Sequence, residues 1–346
     1  MEVNTTALWS SSAPLLLSSK SKTNVSNIMD MIQVFLYGLV FLLGSFGNGV
    51  VMWITFRQVS RTVNCVWYFN LALADFLFSV TRIIPLLKNA FYEEWPFGNF
   101  LCRATSFVKY LNMFCSVFLL AAISLDRAAS VVYPVWSKNR RGPRLAWLAA
   151  ICAWFIAVTT SLPFYLYRKV VIDKSNKTKC SLTLGDGEAE KLVPYLLRFV
   201  CGFLAPFVII VVCYGAIAVQ LRQRQATFRS KKPFKVILAI VVTFFLCWAP
   251  YHLFLLLKLG GVKSQAVSIG LPLTSCLAYL NSCANPILYF FMGLDFHRKC
   301  FNLPGAFRRA LLEDSTHSIR KPSKFTKEAA SSINELEDST VIHNVV

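Results

Sequence analysis

The sequence predicts an all-α fold: a bundle of seven membrane-spanning helices followed by a short amphipathic eighth helix. Three observations predict it. Of 346 residues, 55% are hydrophobic and only 15% are charged, the profile of a polytopic helical membrane protein. Seven apolar runs, at approximately 31–56, 64–90, 100–133, 145–167, 192–221, 234–259 and 267–291, are each long enough to cross a bilayer. Basic and acidic residues segregate to opposite ends of these runs. The formal net charge is +19, but many of the bases lie in short loops between spans, where they orient the chain and form no nucleic-acid surface.

Residues 1–30 are polar and rich in Ser and Thr, and are expected to be an extracellular, glycosylated N-terminus. Asn4 and Asn24 each open an N-x-S/T sequon. The Leu15-Leu16-Leu17 patch is too short and lacks the basic flank of a signal peptide, so no cleaved signal is expected. The bundle occupies 31–293. One set of its loops holds Arg57 and Arg61, then Lys138, Arg140, Arg141 and Arg144, then Arg222, Arg224, Arg229, Lys231, Lys232 and Lys235. The opposite set holds Glu93, Glu94, Asp173, Asp186, Glu188 and Glu190. The positive-inside rule places the N-terminus outside the plasma membrane. A third sequon, at Asn176, then falls on the same side as the first two.

The second and the fourth to seventh spans are apolar runs punctuated by Pro85, Pro163, Pro206, Pro250 and Pro286, each of which removes a backbone hydrogen bond and favours a kink. The third differs. Its core, Tyr110 to Leu125, is apolar except for Asn112, Ser116 and Ser124, with Lys109 just before it and Asp126-Arg127 just after. Asn112 and Ser116 share a helix face. Intramembrane polar groups need protein partners, so this helix is expected inside the bundle, although bland packing explains any one of these residues alone. Beyond the seventh span, 294–303 reads as a basic amphipathic helix on the inner leaflet, with Cys300 as a palmitoylation site or a buried thiol. Residues 304–346 are expected to be a disordered cytoplasmic tail. It carries candidate phosphorylation sites at Ser315, Thr316, Ser318, Ser331, Ser332, Ser339 and Thr340. Each phosphate would add about −1.5 to −2 charges.

An ordered set of motifs now resembles a known family. They are Gly47-Asn48; Leu71-Ala72-Leu73-Ala74-Asp75; Asp126-Arg127; Trp154; Pro206 with Tyr214; Cys247-Trp248-Ala249-Pro250; and Asn285-Pro286-Ile287-Leu288-Tyr289. Together they look like the rhodopsin-like (class A) G-protein-coupled receptors across all seven spans. Within that class, Arg198 to Leu204, Lys232-Pro233-Phe234-Lys235, Thr243 to Trp248, Gly270-Leu271-Pro272-Leu273 and Leu312 to Ser318 are similar to the chemoattractant branch, above all to the chemerin receptors. That branch also includes formyl-peptide, anaphylatoxin and prostaglandin D2 type 2 receptors. Departures are Ala128 after Asp-Arg, and Tyr110 and Lys258 where formyl-peptide and chemerin receptors respectively carry an acid.

The resemblance implies a disulfide between Cys102 and Cys180, on the oxidising side. It implies a sodium ion held by Asp75 with Asn112, Ser116, Asn281 and Asn285; a water-filled network is the alternative. It gives Trp248 above Pro250 the role of a switch, against a merely structural aromatic. Asp126, Arg127, Tyr214, Asn285, Pro286 and Tyr289 become the coupling machinery. Ser230 and Lys231, where some relatives carry an acid, leave Arg127 without a second lock.

Towards the outer ends lie Arg82, Lys109, Arg168, Arg198 and Lys258, with Trp95, Tyr110 and Tyr251 beside them and no acid at that depth. Converging cations repel unless an anion or water screens them. Arg198 and Arg168 match positions that contact ligand carboxylates in this branch. The expected ligand is therefore an extracellular anionic peptide or a lipid acid, and the expected partners are a Gi-type heterotrimeric G protein, a receptor kinase and arrestin. No nucleophile–base pair suggests an enzyme, no cofactor is expected, and Tyr279 stands where opsins attach retinal. A transporter would show repeated halves, and a non-signalling scavenging receptor would share the fold without coupling.

Overall fold

In lipid an isolated apolar run satisfies its backbone by forming an α-helix, and the computed structural model of the protein has seven such helices among its described residues. The structure describes residues 27–56, 62–173, 175–183, 188–224 and 232–292. The spans are α1 (Asn27–Phe56), α2 (Val63–Phe91), α3 (Gly98–Val132), α4 (Pro143–Leu166), α5 (Leu192–Gln223), α6 (Val236–Leu259) and α7 (Gln265–Phe290). Their ends fall within a few residues of the apolar runs read from the sequence. A short helix, Pro134–Arg140, joins α3 to α4. Asn4, Asn24, the 294–303 helix with Cys300, and the tail hydroxyls from Ser315 to Thr340 lie outside the described residues.

Helix α3 is the central post. About two-thirds (67%) of its apolar window is buried, against 22–44% for the other six, as its polar face requires. Polar cross-ties hold the ring of helices together. Asn48 Nδ2 donates to the Ser282 carbonyl at 2.8 Å, joining α1 to α7. Trp154 Nε1 donates to Asn70 Oδ1 at 3.0 Å, joining α4 to α2. In a lipid-facing protein such bonds and close packing hold helices together where the hydrophobic effect between them is weak.

Two irregularities shape the outer half. Helix α2 is interrupted at Arg82, between Thr81 and Ile83. The cause lies three residues on: Pro85 has no N–H for the Thr81 carbonyl, and its ring crowds that oxygen. In α5 a π turn at Val200–Leu204 carries Gly202, where a Cβ would sit 2.7 Å from Met113 Cε and 3.2 Å from Phe114. The absent side chain is what lets α5 press on α3.

Between α4 and α5 the chain forms an antiparallel hairpin, β1 (Arg168–Ile172) with β2 (Thr178–Leu182), pairing Val170 with Cys180. The β-branched Val170, Val171 and Ile172 favour the extended form. Asp173 closes the turn: its Oδ1 accepts from the amides of Ser175 (2.8 Å) and Lys177 (3.1 Å), and it pairs with Lys179. Lys177 pairs with Glu93, and Glu94 accepts from the Thr178 amide and hydroxyl at 3.0 and 2.9 Å. Hydrogen bonding from Lys179 and then from the Lys177 amide holds the Asp173 carboxyl down at about 2. Asn176, the third sequon, sits exposed in this turn with φ 57°.

Two outcomes are expected. Gly202→Val should overpack the α3–α5 contact and cost about 1–3 kcal/mol, read as a lower Tm of the detergent-solubilised protein; an unchanged Tm would mean that the contact yields freely. For the hairpin, a carboxyl depressed when folded stabilises above its unfolded pKa and loses that contribution as pH falls towards about 2. Asp173→Asn at neutral pH should therefore mimic acid and speed amide exchange at Ser175 and Lys177.

Candidate functional site

The outer ends of α2, α3 and α7 and the hairpin enclose a cavity of about 380 Å³. Cys102, near the top of α3, is bonded to Cys180 of β2 with the two Cα atoms 5.6 Å apart, so the disulfide pins the hairpin over the cavity mouth. The Trp95 amide donates to the Thr178 carbonyl at 2.9 Å, and its indole N–H to the Gly98 carbonyl at 2.9 Å, fixing the α2–α3 turn to the same lid. Of the residues expected to meet ligand, Arg82, Trp95, Lys109, Tyr110 and Arg168 line this cavity.

Five of the lining residues are cations, namely Arg82, Lys88, Lys109, Arg168 and Lys179, and none is a carboxylate. Lys179 has Asp173 as a partner. No other of the five has an ion pair among the described residues. Arg82 is only 4% exposed; its guanidinium lies over the Phe78 ring at 4.3 Å and 5.4 Å from the Tyr279 ring centre. Lys109 Nζ lies 5.2 Å from the centre of that same Tyr279 ring. Arg168 Nε reaches Cys180 Sγ at 3.3 Å.

Arg198 is placed differently. It is 4% exposed and is not among the residues lining the cavity. Its two Nη groups donate to the hydroxyls of Tyr110, at 2.7 Å, and Tyr251. The rings of Tyr110, Phe164, Tyr195 and Tyr251 surround its Cζ at 4.6 to 5.7 Å. Phenol oxygens and π faces thus hold the charge in place of a carboxylate. Beside it both nitrogens of buried His252 are without hydrogen-bond partners, packed against Phe203 at 4.8 Å. Lys258 is exposed at the end of α6 and does not line the cavity.

Below this level Trp248, two residues before Pro250, sits edge-on to Tyr251, 5.8 Å between centres. Asp75 is fully buried. Its Oδ1 accepts from Asn112 Nδ2 at 2.8 Å and its Oδ2 from Asn285 Nδ2 at 2.7 Å. Ser282, which no sequence argument singled out, joins them by donating to Asn112 Oδ1 at 3.4 Å. Ser116 Oγ, Asn281 Oδ1 and Asn285 Oδ1 remain buried oxygens without hydrogen-bond partners. A carboxylate beside several neutral oxygens is a donor set that fits a hard cation.

At the inner end Asp126 is gripped by a fork from Arg141, Nε to Oδ1 at 2.8 Å and Nη2 to Oδ2 at 2.9 Å. Its sequence neighbour Arg127 stands 3.6 Å away and donates instead to Asn64 of α2. Asp126 therefore has two arginines, and the shorter contact belongs to the loop. Nothing in the sequence marks the Asp126–Arg141 pair, because fifteen residues and a loop separate them. Tyr289 of α7 packs against Tyr68 with ring centres 4.7 Å apart.

Comparison with known proteins agrees with this architecture. The family description "7 transmembrane receptor (rhodopsin family)" matches residues 47–289. The chain is 40% identical to chemerin-like receptor 1 of Bos taurus over 94% of either chain. It is 40% identical to the C3a anaphylatoxin chemotactic receptor of Danio rerio, over 88% of this chain and 84% of that one. It is 37% identical to formyl peptide receptor 2 of Mus musculus, over 85% and 89%. The protein is a receptor and not an enzyme, a multi-pass protein of the plasma membrane whose family binds extracellular ligands and G proteins. The chain belongs to the rhodopsin family of seven-transmembrane receptors, as a chemoattractant-type G-protein-coupled receptor related to the chemerin, C3a and formyl peptide receptors.

Proposed function

We propose that this receptor, its N-terminus outside, takes an anionic peptide or lipid acid into the outer cavity and signals through an inhibitory, Gi-type G protein in chemotaxis and inflammation. One observation carries the ligand class: five cations line the cavity and no carboxylate does. In a low-dielectric enclosure such charges repel one another, and an entering anion relieves that repulsion as it binds. The names of the relatives, chemerin-like receptor 1, C3a anaphylatoxin chemotactic receptor and formyl peptide receptor 2, favour a peptide; a fatty-acid-derived mediator has the same charge. A non-signalling scavenger is the less favoured reading, since Asp126-Arg127 and the Asn285 to Tyr289 motif are intact. The tail hydroxyls would serve a receptor kinase and arrestin.

Sodium at Asp75 belongs to the same proposal. Asp75, Asn112, Ser116, Asn281 and Asn285 would hold the ion, which would neutralise the buried carboxylate while the receptor is inactive.

The test of function is a screen of acidic peptides and lipid acids on transfected cells, read as inhibition of cAMP formation. Ligand uptake without any cAMP or calcium response would favour the scavenger. With an agonist in hand, Asp75→Asn should remove the sodium dependence of its affinity at fixed ionic strength and impair signalling; wild-type affinity indifferent to sodium would remove the ion from the account. Arg198→Ala strips the partners from the Tyr110 and Tyr251 hydroxyls. Where the ligand's acid displaces those phenols to reach Arg198, the loss is on the order of 2–5 kcal/mol. That is about thirty- to several-thousand-fold in potency, and lysine should restore part of it. An acid that never reaches Arg198 would instead lose equally on both receptors when amidated.

A further inference from the structure

The cavity does not distribute its unmet charge evenly. Arg198 has two phenol acceptors and four rings around it. Lys179 has Asp173. Arg82, nine-tenths buried and more, has one long bond, Nη2 to Thr81 Oγ1 at 3.5 Å, and its Nε is buried without a partner. Lys109 has ring contacts with Tyr110 at 5.4 Å and Tyr279 at 5.2 Å, and no hydrogen bond or ion pair among the described residues. Both line the cavity, and both lie against the Tyr279 ring, so the two cations face a common point between α2, α3 and α7. The backbone explains why Arg82 is there, since it sits on the break that Pro85 imposes in α2. Two cations converging on one ring with no acid opposite are unfavourable until an anion joins them.

The walls decide what carries that anion. Among the lining residues Pro85 is the one aliphatic side chain; no Leu, Ile, Val or Met takes part. The rest of the wall is Tyr37, Trp95, Tyr110 and Tyr279, with Asn89, Thr105, Ser106 and Thr178 as hydrogen-bonding groups. An acyl chain finds little aliphatic surface there, whereas peptide groups and aromatic side chains find partners. Lys109 is seven residues along α3 from Cys102, about 10 Å by helical rise. Arg168, on the hairpin beside the disulfide, is a second cationic station nearer the mouth.

We propose that Arg82 and Lys109, set against Tyr279, form the deep anion seat of this receptor, which takes the terminal carboxylate of an inserted acidic peptide end while Arg168 meets a second acid at the mouth. The proposal rests on the anionic-ligand reading and makes it specific: the deep acid goes to α2 and α3, not to Arg198 on α5.

The experiment uses purified full-length receptor in detergent, with thermal unfolding followed at constant ionic strength. The probes are the tripeptide Phe-Gly-Asp as free acid, the same peptide with its C-terminus amidated, and laurate. The free acid should raise Tm of the wild type more than the amide, and laurate should do less. Arg82→Gln and Lys109→Gln should each erase the acid–amide difference, weakening the free acid about thirtyfold, while Arg198→Gln keeps it. If Arg198→Gln alone erases the difference, the seat is misplaced although the cavity is still anionic. If laurate outdoes the peptide, the acyl acid is the ligand class and the peptide assignment falls. No shift with any probe would count against the anionic-ligand reading itself. A ligand-free arm then judges the seat: unmatched cations burden the empty receptor, so Arg82→Met and Lys109→Met should each raise Tm without ligand. A fall in both would show them to be satisfied structural groups and overturn the seat.

Discussion

A charge inside a membrane bundle must be matched by protein groups or by something that enters, because the surrounding medium offers nothing. This constraint orders the whole molecule. Asp75 at mid-depth is matched by two amide groups from α3 and α7. Asp126 at the inner end is matched twice over, by Arg141 and Arg127. Among the described residues the outer half breaks the rule, collecting cations around a cavity that has no carboxylate. The proposed anion site rests on that imbalance.

The same constraint explains what was legible in the sequence. Spans were readable because hydrophobic length is a local property, and α3 as the central helix was readable because Asn112 and Ser116 recur at helical spacing. The cations of the outer cavity were readable from depth along each run. Their division into matched and unmatched groups was not, since it depends on which side chains meet across helices. Arg198 is expected from the resemblance to meet a ligand carboxylate, yet in the structure two tyrosines from α3 and α6 hold it. Arg141 read as one more loop base, yet it forks onto Asp126. Ser282 carries no motif at all and still supplies a carbonyl to Asn48 and a hydroxyl to Asn112. The hairpin β1–β2 was hidden for a related reason: its pairing is set by Asp173 at the turn and by glutamates from another loop.

These contacts also place the unmatched charges on the elements that a signal must move. Lys109 and Asn112 are successive turns of α3, one facing the cavity and the other bonded to Asp75. On α7, Tyr279 and Asn285 lie nearly two turns apart, the first against Arg82 and Lys109 and the second on Asp75. Repulsion between two cations at one ring tends to spread α2, α3 and α7 at the outer end. An anion bound as proposed would remove that force and draw the three helices towards itself. The Asp75 cluster joins the same three helices half-way down, so it lies at the pivot of any such closure. A rigid α3 turning about that point carries Asp126 and Arg127 at its far end, where the grip is exposed to the loop through Arg141. On that proposal coupling needs no wire of special residues: the three helices that meet at the Arg82–Lys109–Tyr279 point also meet at Asp75, so a ligand neutralising the first would load the second.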